Sequence, residues 1–400
     1  MQTDFDVLIV GGGMVGLSLA TSLGQKGIKT LLIEANTLEP DDLSGASGFE
    51  PRVSAITQAS KAWLMELEAW DNLPEERVSY FNTMEVWDAE GTGEVTFDAA
   101  DVQSANLGCI IENREIQLAL IQSLKTTSVQ IIEHTKLTRI ELKQELGQFW
   151  NQITLDDGYS FSCQLVVGAD GQHSRVRELA ELESFNWQYN HKAIVTTVTT
   201  ELPHNHCARQ SFAPEGPLGI LPLPGKDQNH CSIVWSATPE FVASRMNEND
   251  ETFCKALTRA TESRMGKIVS VDKRYAIPLV PGVAKTYVKE GIALVGDAAH
   301  RIHPLAGQGV NLGFLDAREL SKTLSEAIAT KQPLGSEFEL RKYQRNRQAH
   351  NLAMTAAMEG FKRLFESHNM VIRLLRNVGM KQFNQLPFIK NEVIRFAMGK

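Results

Sequence analysis

Two carboxylates of this 400-residue chain stand at the end of a short apolar run and beside glycine: Asp170 after residues 165–167 and Asp297 after residues 292–295. A buried strand that ends on an acid delivers an acceptor for sugar hydroxyls to whatever lies beyond the strand. A third acid, Glu34, ends the apolar run 31–33 and follows Gly16 by 18 residues. Gly11, Gly13 and Gly16 come straight after the apolar run 7–10 and satisfy G-x-G-x-x-G, with Met14 and Val15 inside the motif. Strand, glycines, helix, strand and acid in that order are the units that cradle a dinucleotide pyrophosphate and hold its ribose. Beyond Asp297, Pro304, Gly307 and Gly309 give a tight loop containing Gln308. A helical pattern then runs through Val310, Leu312, Leu315 and Leu320. Amides of the turn from Gly307 to Asn311 would leave a helix N-terminus, a place that favours developing negative charge.

Two arginines are further candidates. Arg52 ends a Gly/Ser-rich loop, where it reads equally as a phosphate or substrate contact and as a surface residue. Asn113 reads as the N-cap of a helix through Ile116, Ala119, Leu120 and Leu124, which puts Arg114 in the first turn. Arginine there opposes the helix dipole, so a bound pyrophosphate would account for it. His300 and His303 lack a third ligand nearby, and no metal site is assigned.

The elements that position these residues alternate strand and helix at both ends of the chain. Residues 82–97 read as a hairpin turning at Gly91-Thr92-Gly93, and residues 131–132, 137–142 and 150–155 read as a meander. Between 187 and 278 strands follow one another without helices, which predicts an antiparallel sheet, with one helical stretch from 239 to 264 over it. Its apolar faces would wall a greasy pocket.

Five scattered cysteines with no C-x-x-C pair argue against a disulfide framework or zinc site and fit a reducing compartment. With a first strand expected by Phe5, no targeting peptide is expected, and no run of 18 apolar residues exists. The expected location is cytoplasmic, with peripheral contact at the inner face of the cell membrane as an extension. The net charge of -8 is uneven: residues 361–400 carry eight basic and two acidic residues at roughly helical apolar spacing. Nucleic acid is the weaker partner for that region. A basic amphipathic surface for anionic lipid or a partner protein and a helical hairpin packed on the body are evenly matched.

Taken together, the glycine motif with Ala20, Gly27 and Glu34, the Gly168-Ala169-Asp170-Gly171 run with Ser174 and Arg177, and the run from Gly296 to Gly313 resemble the single-component FAD-dependent aromatic hydroxylases. The resemblance covers residues 7 to about 320. Arg52-Val53-Ser54-Ala55-Ile56, Met84-Glu85-Val86-Trp87-Asp88, residues 231–236 and His303 to Gly313 narrow it to the ubiquinone-biosynthesis type, nearest the bacterial polyprenylphenol hydroxylases that oxidise ring carbon 5.

That resemblance implies an α/β fold: a discontinuous FAD-binding Rossmann-like domain (1–74, 105–177 and 275–340), an interleaved antiparallel-sheet substrate domain (75–104 and 178–274) and a C-terminal helical region (341–400). It implies that Gly11, Gly13, Met14, Val15 and Gly16 line the FAD pyrophosphate, Glu34 holds the ribose, and Arg52, Arg114 and Asp297 lie near the phosphates or ribityl chain. Asp170 would serve both FAD and NAD(P)H. Pro304, Gly307 and Gln308 would form the loop on the flavin face, with Gly309, Val310 and Asn311 continuing it, and no general base is assigned. The implied reaction is NAD(P)H- and O2-dependent hydroxylation of a lipid-soluble phenol through a flavin C4a-hydroperoxide, with ubiquinone-pathway proteins as further partners. A flavin-dependent halogenase would need a W-x-W-x-I-P run, which is absent. A plain NAD-dependent dehydrogenase leaves the Asp170 and Asp297 segments without purpose. A non-catalytic flavoprotein scaffold binding prenylated partners, or a hydroxylase of another small phenol, stays open.

Overall fold

The structure is a computed structural model that describes residues 3–186, 190–301, 309–366 and 369–399. Among these, the helices are α1 (Met14–Gln25), α2 (Gln58–Glu66), α3 (Asn113–Leu124), α4 (Arg175–Leu179), α5 (Pro239–Met246), α6 (Asp250–Ala260), α7 (Gly309–Ala329), α8 (Glu337–Glu366), α9 (Met370–Asn384) and α10 (Pro387–Ala397).

Strands Phe5–Val10, Thr30–Ile33 and Ile292–Leu294 and the last third of Ser160–Gly168 are almost wholly buried and read as largely apolar runs. Such runs suit a parallel sheet covered on both faces. They pair in parallel as Ile292–Leu294, Ser160–Gly168, Phe5–Val10 and Thr30–Ile33, and Gln130–Ile132 adds a further parallel strand at the edge. That edge position corrects the expected meander. Ile131 and Ile132 pair with Leu32 and Ile33, whereas Leu137–Glu145, Gln148–Leu155 and Ser160–Gly168 form the antiparallel run. Helix α1 links the first two strands and packs against α3 and α7.

The second large sheet runs Ile268–Val271, His191–Thr200, His230–Ala237, Gly216–Pro222, Cys207–Ala213, Thr83–Asp88 and Glu94–Asp98, with Tyr275–Leu279 also paired to His191–Thr200. The Thr83–Asp88 and Glu94–Asp98 strands are the expected hairpin, and it joins this sheet through a parallel pairing with Cys207–Ala213. Helical cover on this sheet comes as α5 and α6, not one stretch: α5 ends at Met246 with Asn247 as its C-cap, and Asn249 caps α6, accepting from the Thr252 amide at 2.8 Å. Trp87, Ile194, Trp235, Phe253 and Leu257 form the core between α6 and the sheet.

Candidate active site

The Phe5–Val10 strand ends on a glycine turn whose geometry excludes side chains at two points. Gly11 has φ +109°, and a Cβ there would lie 2.5 Å from the Ala169 carbonyl oxygen. At Gly16 a Cβ would lie 1.9 Å from the Gly11 oxygen, so helix and turn touch backbone to backbone. Gly13 is different: a Cβ there would meet nothing within 4 Å. It is the N-cap of α1, makes no side-chain cap, and borders a cavity of about 660 Å³ with Met14 and Val15. The first amides of α1 have no intrahelical partners, and an anion in that space would satisfy them. Gln117 fastens the turn from behind, donating to the Gly12 and Leu38 carbonyls at 3.3 and 2.9 Å.

Asp297 lies on the cavity wall. Its side chain is open to the cavity yet enclosed by protein, and burial raises its carboxyl above the usual range, opposed by His300, Arg301 and Arg52. Behind it sits a fully buried cluster. Asp316 on α7 accepts from the Gly296 amide at 3.1 Å, from Arg347 Nε at 2.8 Å, from Asn351 at 3.1 Å, and bonds His300. Burial alone would raise Asp316; His300 and Arg347 more than offset it, and its carboxyl is lowered. The turn that presents Asp297 is therefore held through a carboxylate on one helix and an arginine on the next.

The Asp170 strand does lie beside the Asp297 strand, with Gly168 opposite Leu294. Asp297 lines the cavity but Asp170 does not, because one Asp170 oxygen accepts from the Arg175 and Val176 amides at 2.6 and 3.2 Å and caps α4. Its other oxygen is buried without a partner. Burial raises its carboxyl, against the hydrogen bonds from Ser174 and the α4 amides. Glu34 also faces inward to backbone, accepting from Gly12 at 2.6 Å and Asn36 at 3.0 Å. Asn113 is not an N-cap. It is the first residue of α3, its carboxamide accepts from Ser54 at 2.6 Å, and Glu112 occupies the cap position, its carboxylate taken by the Glu50 amide and Arg77 instead of by the helix. Arg114 is in the first turn as expected; its Nε is buried without a partner, and its nearest acid is Glu115 at 3.5 Å.

Arg52, Gly309 and Val310 border the cavity too. Asn311 is buried and spends its side chain tying α7 to the Val53–Ile56 strand, donating to Ala55 O at 2.7 Å and accepting from Thr57 N at 3.0 Å. Pro304, Gly307, Gln308 and His303 lie outside the described residues. The opposite wall comes from the second sheet. Register places Val195 opposite Val234 and Ala193 opposite Ile277, and all four line the cavity. Sequence reasoning did not single out Gln117, His300, Asp316 or Arg347 for this role, because each acts through partners far away in the chain.

The cavity thus has a glycine-and-amide wall suited to a diphosphate and an aliphatic wall suited to a greasy ring. The residues fit FAD. Gly13 leaves room for close backbone approach at the N-terminus of α1, and on the same cavity Arg52 offers a cation to a phosphate and Asp297 an acceptor to ligand hydroxyls.

A family profile described as FAD binding domain matches residues 4–358. The chain belongs to the FAD-dependent monooxygenase family. FAD is its cofactor and NAD(P)H the family's usual reductant. It is 34% identical over 437 residues to the mitochondrial ubiquinone biosynthesis monooxygenase COQ6 of Xenopus tropicalis, covering 98% of this chain and 93% of that one. It is likewise 34% identical over 395 residues to the 3-demethoxyubiquinol 3-hydroxylase of Escherichia coli, with 98% of each chain covered. The monooxygenase fold is shared with PqsL of Pseudomonas aeruginosa, at a TM-score of 0.78 and 21% identity over 94% of this chain and 99% of that one. It is shared equally with the p-nitrophenol 4-monooxygenase PnpA of Pseudomonas putida, at 0.76 and 19% over 98% and 97%.

Proposed function

We propose that this monooxygenase hydroxylates the aromatic ring of a polyprenylphenol in ubiquinone biosynthesis, using FAD, NAD(P)H and O2. The printed functions of its 34%-identical relatives support the pathway. The observation that carries the reading is the two-sided cavity, with glycine amides and Asp297 on one wall and Ala193, Val195, Val234 and Ile277 on the other.

FAD, when bound, supplies the chemistry that takes electrons from NAD(P)H and passes oxygen to the ring. This chain's residues do the rest. Gly11, Gly13 and Gly16 bring backbone up to the diphosphate, with Arg114 and Arg52 beside it. Glu34 offers its remaining lone pairs to the adenosine ribose, and Asp297 accepts from the ribityl hydroxyls. Helix α7 starts at the cavity wall with Gly309 and Val310, so its first-turn amides stabilise negative charge there. For Pro304, Gly307 and Gln308, which lie outside the described residues, the flavin-face role is proposed from the resemblance alone. The aliphatic wall excludes water from the reacting ring.

A direct test is NAD(P)H oxidation by the FAD-loaded enzyme with and without a polyprenylphenol. The reading expects the phenol to accelerate oxidation. A rate that no phenol, prenylated or plain, changes would remove it.

A further inference from the structure

The C-terminal helices turn part of their charge inward and many of their apolar residues outward. Arg376 on α9 reaches Asp88 through Nε at 2.9 Å, with both side chains 1% exposed, while Arg373 pairs with Glu90 and Lys390 with Asp101. Asn377 also donates to Asp88 at 2.9 Å, and Phe365 stacks on Phe212 at 3.7 Å. Three of the eight basic residues in this region are therefore pins to the body. What faces out on α9 is Met370, Val371, Leu374, Leu375 and Val378, between 45% and 84% exposed. On α10 it is Phe388, Ile389, Val393 and Phe396, between 41% and 80% exposed. At about 100° per residue each set falls within an arc of roughly 140°, one face of its helix. Nine large apolar side chains stand uncovered on two helices that pack on each other, where a monomer ordinarily scatters exposed apolar residues singly.

We propose that this outer face of α9 and α10 lies in the surface of an anionic lipid bilayer. Among the described residues no helix is long and apolar enough to cross a membrane, so the contact is in-plane. Lys381 is exposed on α9, Arg363 and Arg395 are exposed but paired with Glu359 and Glu392 on their own helices, and with its pins set aside the region from 361 to 400 keeps a surplus of positive charge. That charge suits anionic headgroups. A second copy docked face to face would press like charge on like, which disfavours the symmetric dimer.

The inner side of α10 adds a second argument. Ile394 and Met398 are buried in an apolar cluster with Phe81, Ala208, Leu221 and Leu223, against which Val53 packs, and Val53 lines the cavity. An apolar seam thus joins the lipid-facing helices to the cavity wall. This part rests on the polyprenylphenol reading: the helices that meet the bilayer pack on residues that back the cavity wall, which holds the cavity close to the lipid that carries the substrate.

The test is flotation of the FAD-loaded full chain with vesicles of phosphatidylglycerol and phosphatidylethanolamine, against phosphatidylcholine alone. Binding is expected to the anionic vesicles, and the double variant Leu374→Asp/Phe388→Asp should weaken it by roughly a hundredfold, since affinity scales with apolar area inserted. Both positions are 65% or more exposed, so the fold survives the change. Lys381→Glu should weaken binding to anionic vesicles only. A parent chain that ignores vesicles, or a double variant that binds as well as the parent, overturns the proposal. So does a parent that stays off vesicles but dimerises through this face by analytical ultracentrifugation. Turnover separates this claim from the functional one: the double variant should keep parental turnover of a short-chain phenol in solution and lose turnover of a long-chain phenol in vesicles. Vesicle binding without any hydroxylation would sink the substrate reading and leave the lipid surface standing.

Discussion

Gly13 and Gly11 stand two residues apart in one turn, and alanine should do opposite things at them. At Gly13 the backbone is extended, φ -72° and ψ 175°, a conformation alanine adopts freely, and its Cβ would touch nothing within 4 Å. Replacing glycine by alanine at an N-cap costs about 0.5–1 kcal/mol, and the stiffer unfolded chain returns about 0.4–1 kcal/mol. The apo-protein should therefore keep its stability to within about 0.5 kcal/mol. The methyl group occupies the space through which the diphosphate would approach the backbone, and FAD affinity should fall at least tenfold, about 1.4 kcal/mol. At Gly11 the positive φ and the Ala169 oxygen at 2.5 Å act on the fold itself. Strain of about 1–3 kcal/mol and overpacking of about 1–3 kcal/mol together take a large share of a typical stability. Urea denaturation of the apo-proteins and fluorescence titration with FAD read the two effects separately. A Gly13→Ala protein that binds FAD with the parental Kd would refute the placement of the cofactor, and one as unstable as Gly11→Ala would refute the reading of open space.

Three further outcomes follow from the structure. Asp88→Asn should destabilise the C-terminal region by about 3–5 kcal/mol, because it leaves the Arg376 guanidinium buried without its counter-charge; proteolysis between α8 and α9 should speed up, and unchanged digestion would contradict the pin. His204 is buried, donates from Nε2 to the Leu223 carbonyl at 2.9 Å and accepts at Nδ1 from the His206 amide at 3.1 Å, an arrangement only the neutral ring can make. Burial lowers its pKa from 6.5 to about 4. The unfolded ring takes up a proton first, so stability is full above about pH 6.5 and falls by up to roughly 3 kcal/mol as pH drops to 4. His204→Gln should flatten that slope in denaturation curves, and an unchanged slope would assign it elsewhere. Asp170→Asn keeps one oxygen for the α4 amides, so it should slow flavin reduction by NAD(P)H in stopped flow more than it weakens FAD retention; equal reduction rates would end the role assigned to Asp170.

Local pattern made much of the architecture legible. The apolar runs at 7–10, 31–33, 165–167 and 292–295 are strands of one parallel sheet because burial on both faces leaves little place for polar residues. The glycine turn after the first of them is similarly forced by close backbone contacts. Elements with weak or edge character were less readable: Ile131-Ile132 carries the same composition whether it joins a meander or the far edge of the parallel sheet. Direction was less readable still. The basic residues of 361–400 show in the sequence, but only the positions of Asp88, Glu90 and Asp101 reveal that three of them point inward. The same holds for the cluster behind Asp297, where His300, Asp316 and Arg347 are separated by 16 and 31 residues and meet only in the fold. Asn113 looked like a cap because asparagine favours caps; Ser54 drew its side chain away.

The most direct measurement of the central claim is oxygen incorporation. FAD-loaded protein, a polyprenylphenol, NAD(P)H and isotopically labelled O2 are incubated, and the product is read by mass spectrometry and ring-proton NMR. The account predicts a product with one labelled oxygen on the ring, the carbon identified by NMR. NAD(P)H consumption with peroxide release and no labelled product from any polyprenylphenol would contradict it.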